Sequence, residues 1–179
     1  MSSLKVLIAI SPVLGYLCWS DFRRHLLPNL WTVGLLAAAL VWRVGYGGWT
    51  LMLDGVWAAL LAGLFLFLPF LLNAGGGGDV KMLAACGAVV GLKRVPDLLF
   101  LTSVSGLLLA VVLVCFHIAS ARRLKHYFLC LFWWKYDRDA GRATLPSAHS
   151  RQNQIPFGIA IASGTWLTLL CQAFWGGVL

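Results

Sequence analysis

The sequence predicts an all-α, polytopic membrane helix bundle of about six transmembrane helices, with a glycine-rich break before the fourth. Three observations carry this. Hydrophobic residues fill 60% of the 179 positions and charged residues only 11%, where a soluble domain carries about a quarter. Apolar runs of membrane-crossing length recur along the chain, and short segments between them hold most of the charge. One polar interruption is unlike the rest: Gly75-Gly76-Gly77-Gly78 leads directly into Asp79-Val80-Lys81. With no linker and no shift of composition, residues 1–179 read as one integral membrane domain.

The elements follow in order. Residues 4–19 form a first apolar run, retained as a span because no Ala-x-Ala-like exit follows it. A charged turn, Asp21-Phe22-Arg23-Arg24-His25, comes next. A second span runs from residue 26 to about 44, with Pro28 in its first turn, where a missing N–H costs nothing. Residues 45–50 read as a tight outer loop, and 51–72 as a third span that Pro69 kinks near its inner end. Residues 80–92 form a fourth apolar run of only about 20 Å at 1.5 Å per residue, either a short, tilted span or a re-entrant helix, the span being favoured because the glycines can dip into the membrane where protein lines a cavity. Lys93 to Asp97 is a turn, and residues 98–119 are a fifth span. Residues 127–134 are too short to cross and read as a helix lying in the interface. Residues 135–154 form the one sizeable polar loop, and 155–175 the sixth span.

The balance of charge is basic: 14 Lys and Arg face six Asp and no Glu, for a net charge of +8. In a polytopic chain the positive-inside rule accounts for this, so membrane lipid is the expected partner and nucleic acid is not. Even numbers of spans put both termini on one side. Assigning residues 21–27, 75–81 and 120–154 to the cytoplasm places ten basic residues inside, against Lys5, Arg43, Lys93 and Arg94 outside. The termini are therefore expected to face away from the cytoplasm. The five cysteines, Cys18, Cys86, Cys115, Cys130 and Cys171, form no CxxC pair and read as small buried hydrophobes. No Cys/His cluster has ligand spacing, so neither metal nor cofactor is expected.

This topology has a chemical consequence. Asp21 follows one inward span and Asp79 follows the next, so two carboxylates reach the same membrane face. An acid at that position is costly unless it faces protein, water or substrate. Two neighbouring carboxylates share one proton over a broad pH range. The ionised member can then activate water while the protonated one polarises a carbonyl, which is peptide hydrolysis without a covalent intermediate. Four glycines beside the acid would let a substrate backbone approach and would permit positive φ. Packing between helices, followed by a charged cap, is the plainer reading of the same stretch.

Asp21 followed by Pro28-Asn29, then Gly76-Gly77-Gly78-Asp79-Val80-Lys81 in the GxGD-V-K pattern, then Ile155-Pro156-Phe157-Gly158 at the last span, resembles the type IV prepilin peptidase family of membrane aspartic proteases. All three blocks stand in the family's order. The resemblance implies that Asp21 and Asp79 are the catalytic pair. It implies a prepilin substrate whose short basic leader is cut at the cytoplasmic face of the bacterial inner membrane, with pilus assembly components as further partners. Many members carry a CxxC insert and also methylate the new N-terminus. Here Trp19 runs almost directly to Asp21, so the chain is similar to the short, peptidase-only members of Flp or Tad-type pilus systems.

Other candidates have two readings each. Lys81 can steer the pair's charge or bind substrate backbone, or it can anchor to lipid headgroups. Asn29 can hydrogen-bond near the acid or simply start a helix. Pro156 and Gly158 are expected to shape the entrance by loosening the last helix, and Gly76, Gly77 and Gly78 to contact substrate. His25 reads as solvated, and Asp54 and Asp97, on the outer side, are left out of the site. A small ion-coupled transporter or channel is the alternative function, but it predicts an inverted repeat, and the GGGGD block has no counterpart in the other half.

Overall fold

A computed structural model describes residues 3–24, 27–71, 76–115 and 157–175. These residues are helical throughout, apart from short connections, with no strand among them. The helices are α1 (Ser3–Arg24), α2 (Asn29–Leu71), α3 (Gly77–Val90), α4 (Val95–Cys115) and α5 (Phe157–Trp175). The interfacial helix expected at 127–134 and the polar loop at 135–154 lie outside the described residues.

Several boundaries differ from expectation, each for a physical reason. α1 does not stop at Trp19 but continues through Asp21 to Arg24, because nothing from Ser20 to Arg24 breaks a helix. Arg23 in the last turn favours the negative end of the helix dipole. Pro28 stands just ahead of α2, where its carbonyl accepts the first amides, from Trp31 (3.1 Å) and Thr32 (3.3 Å). The expected outer loop at 45–50 shrinks to Gly47 and Gly48, the two residues of α2 with non-helical dihedrals. Gly48 has φ +65°, a conformation open to glycine at no steric cost.

That break turns α2 into a hairpin. Arg43 and Asp54 are in contact although 11 residues apart, and on a continuous helix that separation would span about 16 Å. A Cβ at Gly55 would lie against Arg43 and Leu40, and Ala39 and Ala59 share one small core with Ala88. The arms, 29–46 and 49–71, therefore run antiparallel.

Among the described residues, four helices are long and apolar enough to cross a membrane: α1, α2, α4 and α5. The expected count of about six is not reached by this measure, because both arms of α2 count once and the 14 residues of α3 cover only about 21 Å. α3 is instead the inner element. It packs along α2 and touches α5, while α5 lies between α1 and α4. Met82, Leu83, Ala85, Cys86 and Ala88 of α3 are fully buried, as are Ala160, Ile161, Ala162 and Thr165 of α5. Small residues permit this closeness: a Cβ at Gly87 would sit 2.6 Å from that of Ala62 and 2.7 Å from the Ala58 carbonyl oxygen. Gly164 lies equally close against Thr102 of α4.

The outward faces of α2 and α4 are apolar, with Leu60, Leu64, Leu107 and Leu108 exposed, as suits helices facing lipid. Cys115 and Cys171 are exposed as well, so among the described cysteines only Cys86 fits the expectation of a buried thiol, with Cys18 partly covered; Cys130 lies outside the described residues. Aromatics mark both ends of the bundle. Trp19, Tyr16 and Trp31 gather at one end and Trp42, Tyr46 and Trp49 at the other, the placement expected at two membrane interfaces.

Candidate active site

Asp21 stands in the last turn of α1, only 6% exposed, although its neighbours Trp19 and Phe22 are open. The backbone N–H of Gly158, in the first turn of α5, donates to Asp21 Oδ2 at 2.8 Å. Such amides have no intrahelical acceptor, so the start of a helix offers an anion both a donor and a favourable dipole. The glycine is a steric requirement: a Cβ at Gly158 would stand 2.7 Å from Asp21 Oδ2. The absence of a side chain at Gly158 thus admits the carboxylate to the amide.

Asp79 lies in the first turn of α3, ahead of the apolar part of that helix and outside the four helices long enough to cross a membrane. Its Oδ2 accepts the Gly76 N–H at 3.2 Å, and its own N–H donates to the Gly76 carbonyl at 3.1 Å. Burial and then the nearby charge of Asp21 push its pKa up to about 6, against a smaller lowering by the Gly76 amide. The two carboxylates, 58 residues apart in sequence, therefore act on one another.

The glycines take a form different from the one expected. Gly77 and Gly78 are the first residues of α3, and Gly76 caps it with φ −82°. Among the described residues only Gly48 and Gly91 have positive φ. What Gly77 and Gly78 permit is close packing: a Cβ at Gly77 would meet the Phe70 ring at 3.3 Å, and one at Gly78 would meet Leu27 at 2.9 Å. Tertiary contact thus overrides the weak helix preference of glycine.

Lys81 and Asn29 come together, with Lys81 Nζ donating to Asn29 Oδ1 at 2.9 Å on an exposed edge that joins α2 to α3. Pro156 and His25 lie outside the described residues. Among those residues no three His, Cys, Asp or Glu side chains are grouped to hold a metal ion. Asp54 and Asp97 stay away from the site: Asp97 pairs with Arg94 at 3.5 Å, and Asp54 lies near the C-terminal end of α3, the end opposite Asp79. A cavity of about 450 Å³ opens at that far end, lined by Arg43, Asp54, Gly91, Lys93 and Gln172 among others, and it contains neither Asp21 nor Asp79.

Sequence reasoning missed two things here. The Gly158 amide is a backbone donor, and side-chain identity carries no sign of one. The pairing of Arg43 with Asp54 did have a signal, since a lone Arg and a lone Asp inside apolar helices each need a partner.

Residues 8–111 match the type IV leader peptidase family. This chain belongs to that family. It is also 29% identical over 171 residues to the prepilin leader peptidase/N-methyltransferase of Aeromonas hydrophila, and equally to that of Aeromonas salmonicida strain A449. Each alignment covers 92% of this chain and 47% of the relative, so the chain spans about half the length of the curated relatives it matches. No solved structure matches it. The family match covers most of α1, all of α2 and α3 and most of α4, and so contains both aspartates and the glycine stretch.

Proposed function

We propose that this chain is a membrane aspartic endopeptidase that removes the short basic leader from type IV-like prepilins, of the Flp type, at the cytoplasmic face of the bacterial inner membrane. The observation that carries the proposal is the pairing of Asp21 with Asp79, each held by a backbone amide and one influencing the proton of the other. In the singly protonated pair, the ionised carboxylate takes a proton from a water molecule as its oxygen attacks the scissile carbonyl. The other carboxylic acid gives its proton to the carbonyl oxygen. The tetrahedral diol then collapses: the proton gained from water passes to the leaving amine as the C–N bond breaks, and the now ionised second carboxylate takes a proton from a diol hydroxyl, which leaves the acid product and restores the singly protonated pair. Fixed N–H donors keep each acid in place without reorganisation during the reaction.

Gly76, Gly77 and Gly78, with Lys81, Asn29, Pro156 and Gly158, form the proposed surroundings of the substrate. A leader bearing Lys or Arg would approach from the same side as the site, and the charge distribution of the chain supports a cytoplasmic location for it. Arg43 is engaged inside the protein, so the cations left on the outer side are Lys5 and Lys93, which are exposed, and Arg94, which is half-buried and paired with Asp97. The relatives' names include an N-methyltransferase. Only the peptidase is carried over, because no CxxC pair occurs in this sequence.

Co-expression with an Flp-type prepilin tests the proposal, with the pilin N-terminus read by intact-mass and fragment spectra. The expected product is a pilin shortened by its basic leader and bearing no added methyl group. Full-length prepilin, together with cation flux through the protein in liposomes, would favour the transporter instead.

A further inference from the structure

Arg43 is a buried cation in an apolar helix, only 9% exposed, and such residues are retained where their charge has a task. Its contacts converge on the end of α3. Nε donates to the Ala88 carbonyl at 2.7 Å and one terminal nitrogen reaches the Val89 carbonyl at 3.5 Å. The other terminal nitrogen donates to the Leu51 carbonyl at 3.2 Å and to Asp54 Oδ2 at 2.8 Å. Ala88 and Val89 stand in the last turn of α3, whose carbonyls lack intrahelical donors and carry the negative end of the dipole. Asp54 grips the chain just past that turn by accepting the Leu92 N–H at 3.3 Å. Between these grips lies Gly91, at φ +92°. A Cβ there would collide with the Arg43 guanidinium and come within 3.1 Å of Asp54 Oδ2.

We propose that Arg43 and Asp54 are positioning residues for the peptidase site: by clamping the C-terminal end of α3 to both arms of α2, they set where Asp79, at the other end of the helix, stands relative to Asp21. This rests on the two-aspartate reading above. The helix is about 21 Å long and stiff, so a slide or tilt at one end reaches the other. At the site end α3 is held by one exposed hydrogen bond to α2, Lys81 to Asn29, and by packing of Gly77 on Phe70 of α2 and of Gly78 on Leu27, just ahead of α2. The buried, charge-assisted restraint is the one at Arg43, and such bonds are the stronger kind.

The test compares the parent with Arg43→Gln, with the double variant Arg43→Met/Asp54→Leu and with Asp79→Asn, all purified in detergent and assayed on one prepilin per unit of folded protein. Arg43→Gln should lower kcat by about 100-fold, the effect of roughly 1 Å of misplacement, with KM changed by less than about twofold. Its alkaline pH limb should move to lower pH, because Asp79 drawn away from Asp21 titrates nearer the ordinary carboxylate range. The double variant removes the unpaired acid that Arg43→Gln leaves behind, so it should recover thermal stability while kcat stays low. Recovery of kcat along with stability would overturn the proposal, as would a folded Arg43→Gln with parental kcat and pH limb. Unchanged cleavage by Asp79→Asn would bring down the two-aspartate reading itself, a result distinct from either.

Discussion

Asp79 is held in a state that favours reactivity over stability. Its pKa is raised from 3.8 to about 6, so the folded protein binds a proton there that the unfolded chain has released. Stability therefore falls as pH rises from about 4 to about 6 and stays at the lower level above it. Asp79→Asn removes that loss while keeping an acceptor for the Gly76 amide. At pH 7 it should raise stability by on the order of 2 kcal/mol, measured by thermal unfolding in detergent, with no gain expected at pH 4. In the proposed two-aspartate mechanism the same shift bears on catalysis: the shared proton would leave as pH passes about 6, so kcat/KM should decline on that side of a bell-shaped profile. Gly158→Ala tests the partner acid. Its methyl group would press on Asp21 Oδ2 and should lower kcat by about 100-fold, with membrane insertion intact. Normal turnover by this variant would mean that the Gly158 amide does not position Asp21.

At the scale of elements, α3 is both the shortest and the most enclosed α-helix among the described residues. It brings Asp79 to the site while resting on Ala58 and Ala62 of the second arm of α2. Gly87→Val would place a branched side chain where even a Cβ is too close, so it should destabilise by about 1–3 kcal/mol through overpacking. An unchanged melting temperature would show that the α2–α3 seam relaxes easily. The helices themselves were legible in the sequence from their apolar runs, but their ends were less so. Charge at Asp21 suggests the end of the span, whereas Ser20 to Arg24 hold no helix breaker and the helix runs on. Glycine disfavours helices, so Gly77 and Gly78 suggest open backbone, and packing on Phe70 and Leu27 reverses that preference. The Gly-rich stretch at 45–50 suggests a six-residue loop and conceals how little chain Gly47 and Gly48 need to reverse direction.

For the whole molecule, the two acids were legible because an ionisable group in an oily chain needs a reason, and because their spans end on one side. The donors that hold those acids were not, since backbone amides have no sequence signature. The proposed orientation can be checked in intact cells with single cysteines placed in a cysteine-free background. Thr50→Cys, beside the break in α2, should react with an impermeant thiol reagent, and Ser147→Cys, outside the described residues, should not. The reverse pattern would invert the topology and move the site away from the cytoplasm. Cleavage by the purified enzyme should continue in the presence of chelator, as two carboxylates and a water suffice for the chemistry. Loss of activity restored by zinc would remove this mechanism.

The central claim is that Asp21 and Asp79 act as one unit, and the rates of prepilin cleavage by Asp21→Asn, Asp79→Asn and the double variant test it most directly. Asn keeps the size and much of the polarity of Asp, so all three should be inserted in the membrane. Each single variant should lose several orders of magnitude in kcat, and the double should be scarcely slower than either, the non-additivity of groups that work together. Near-parental cleavage by either single variant would contradict the account.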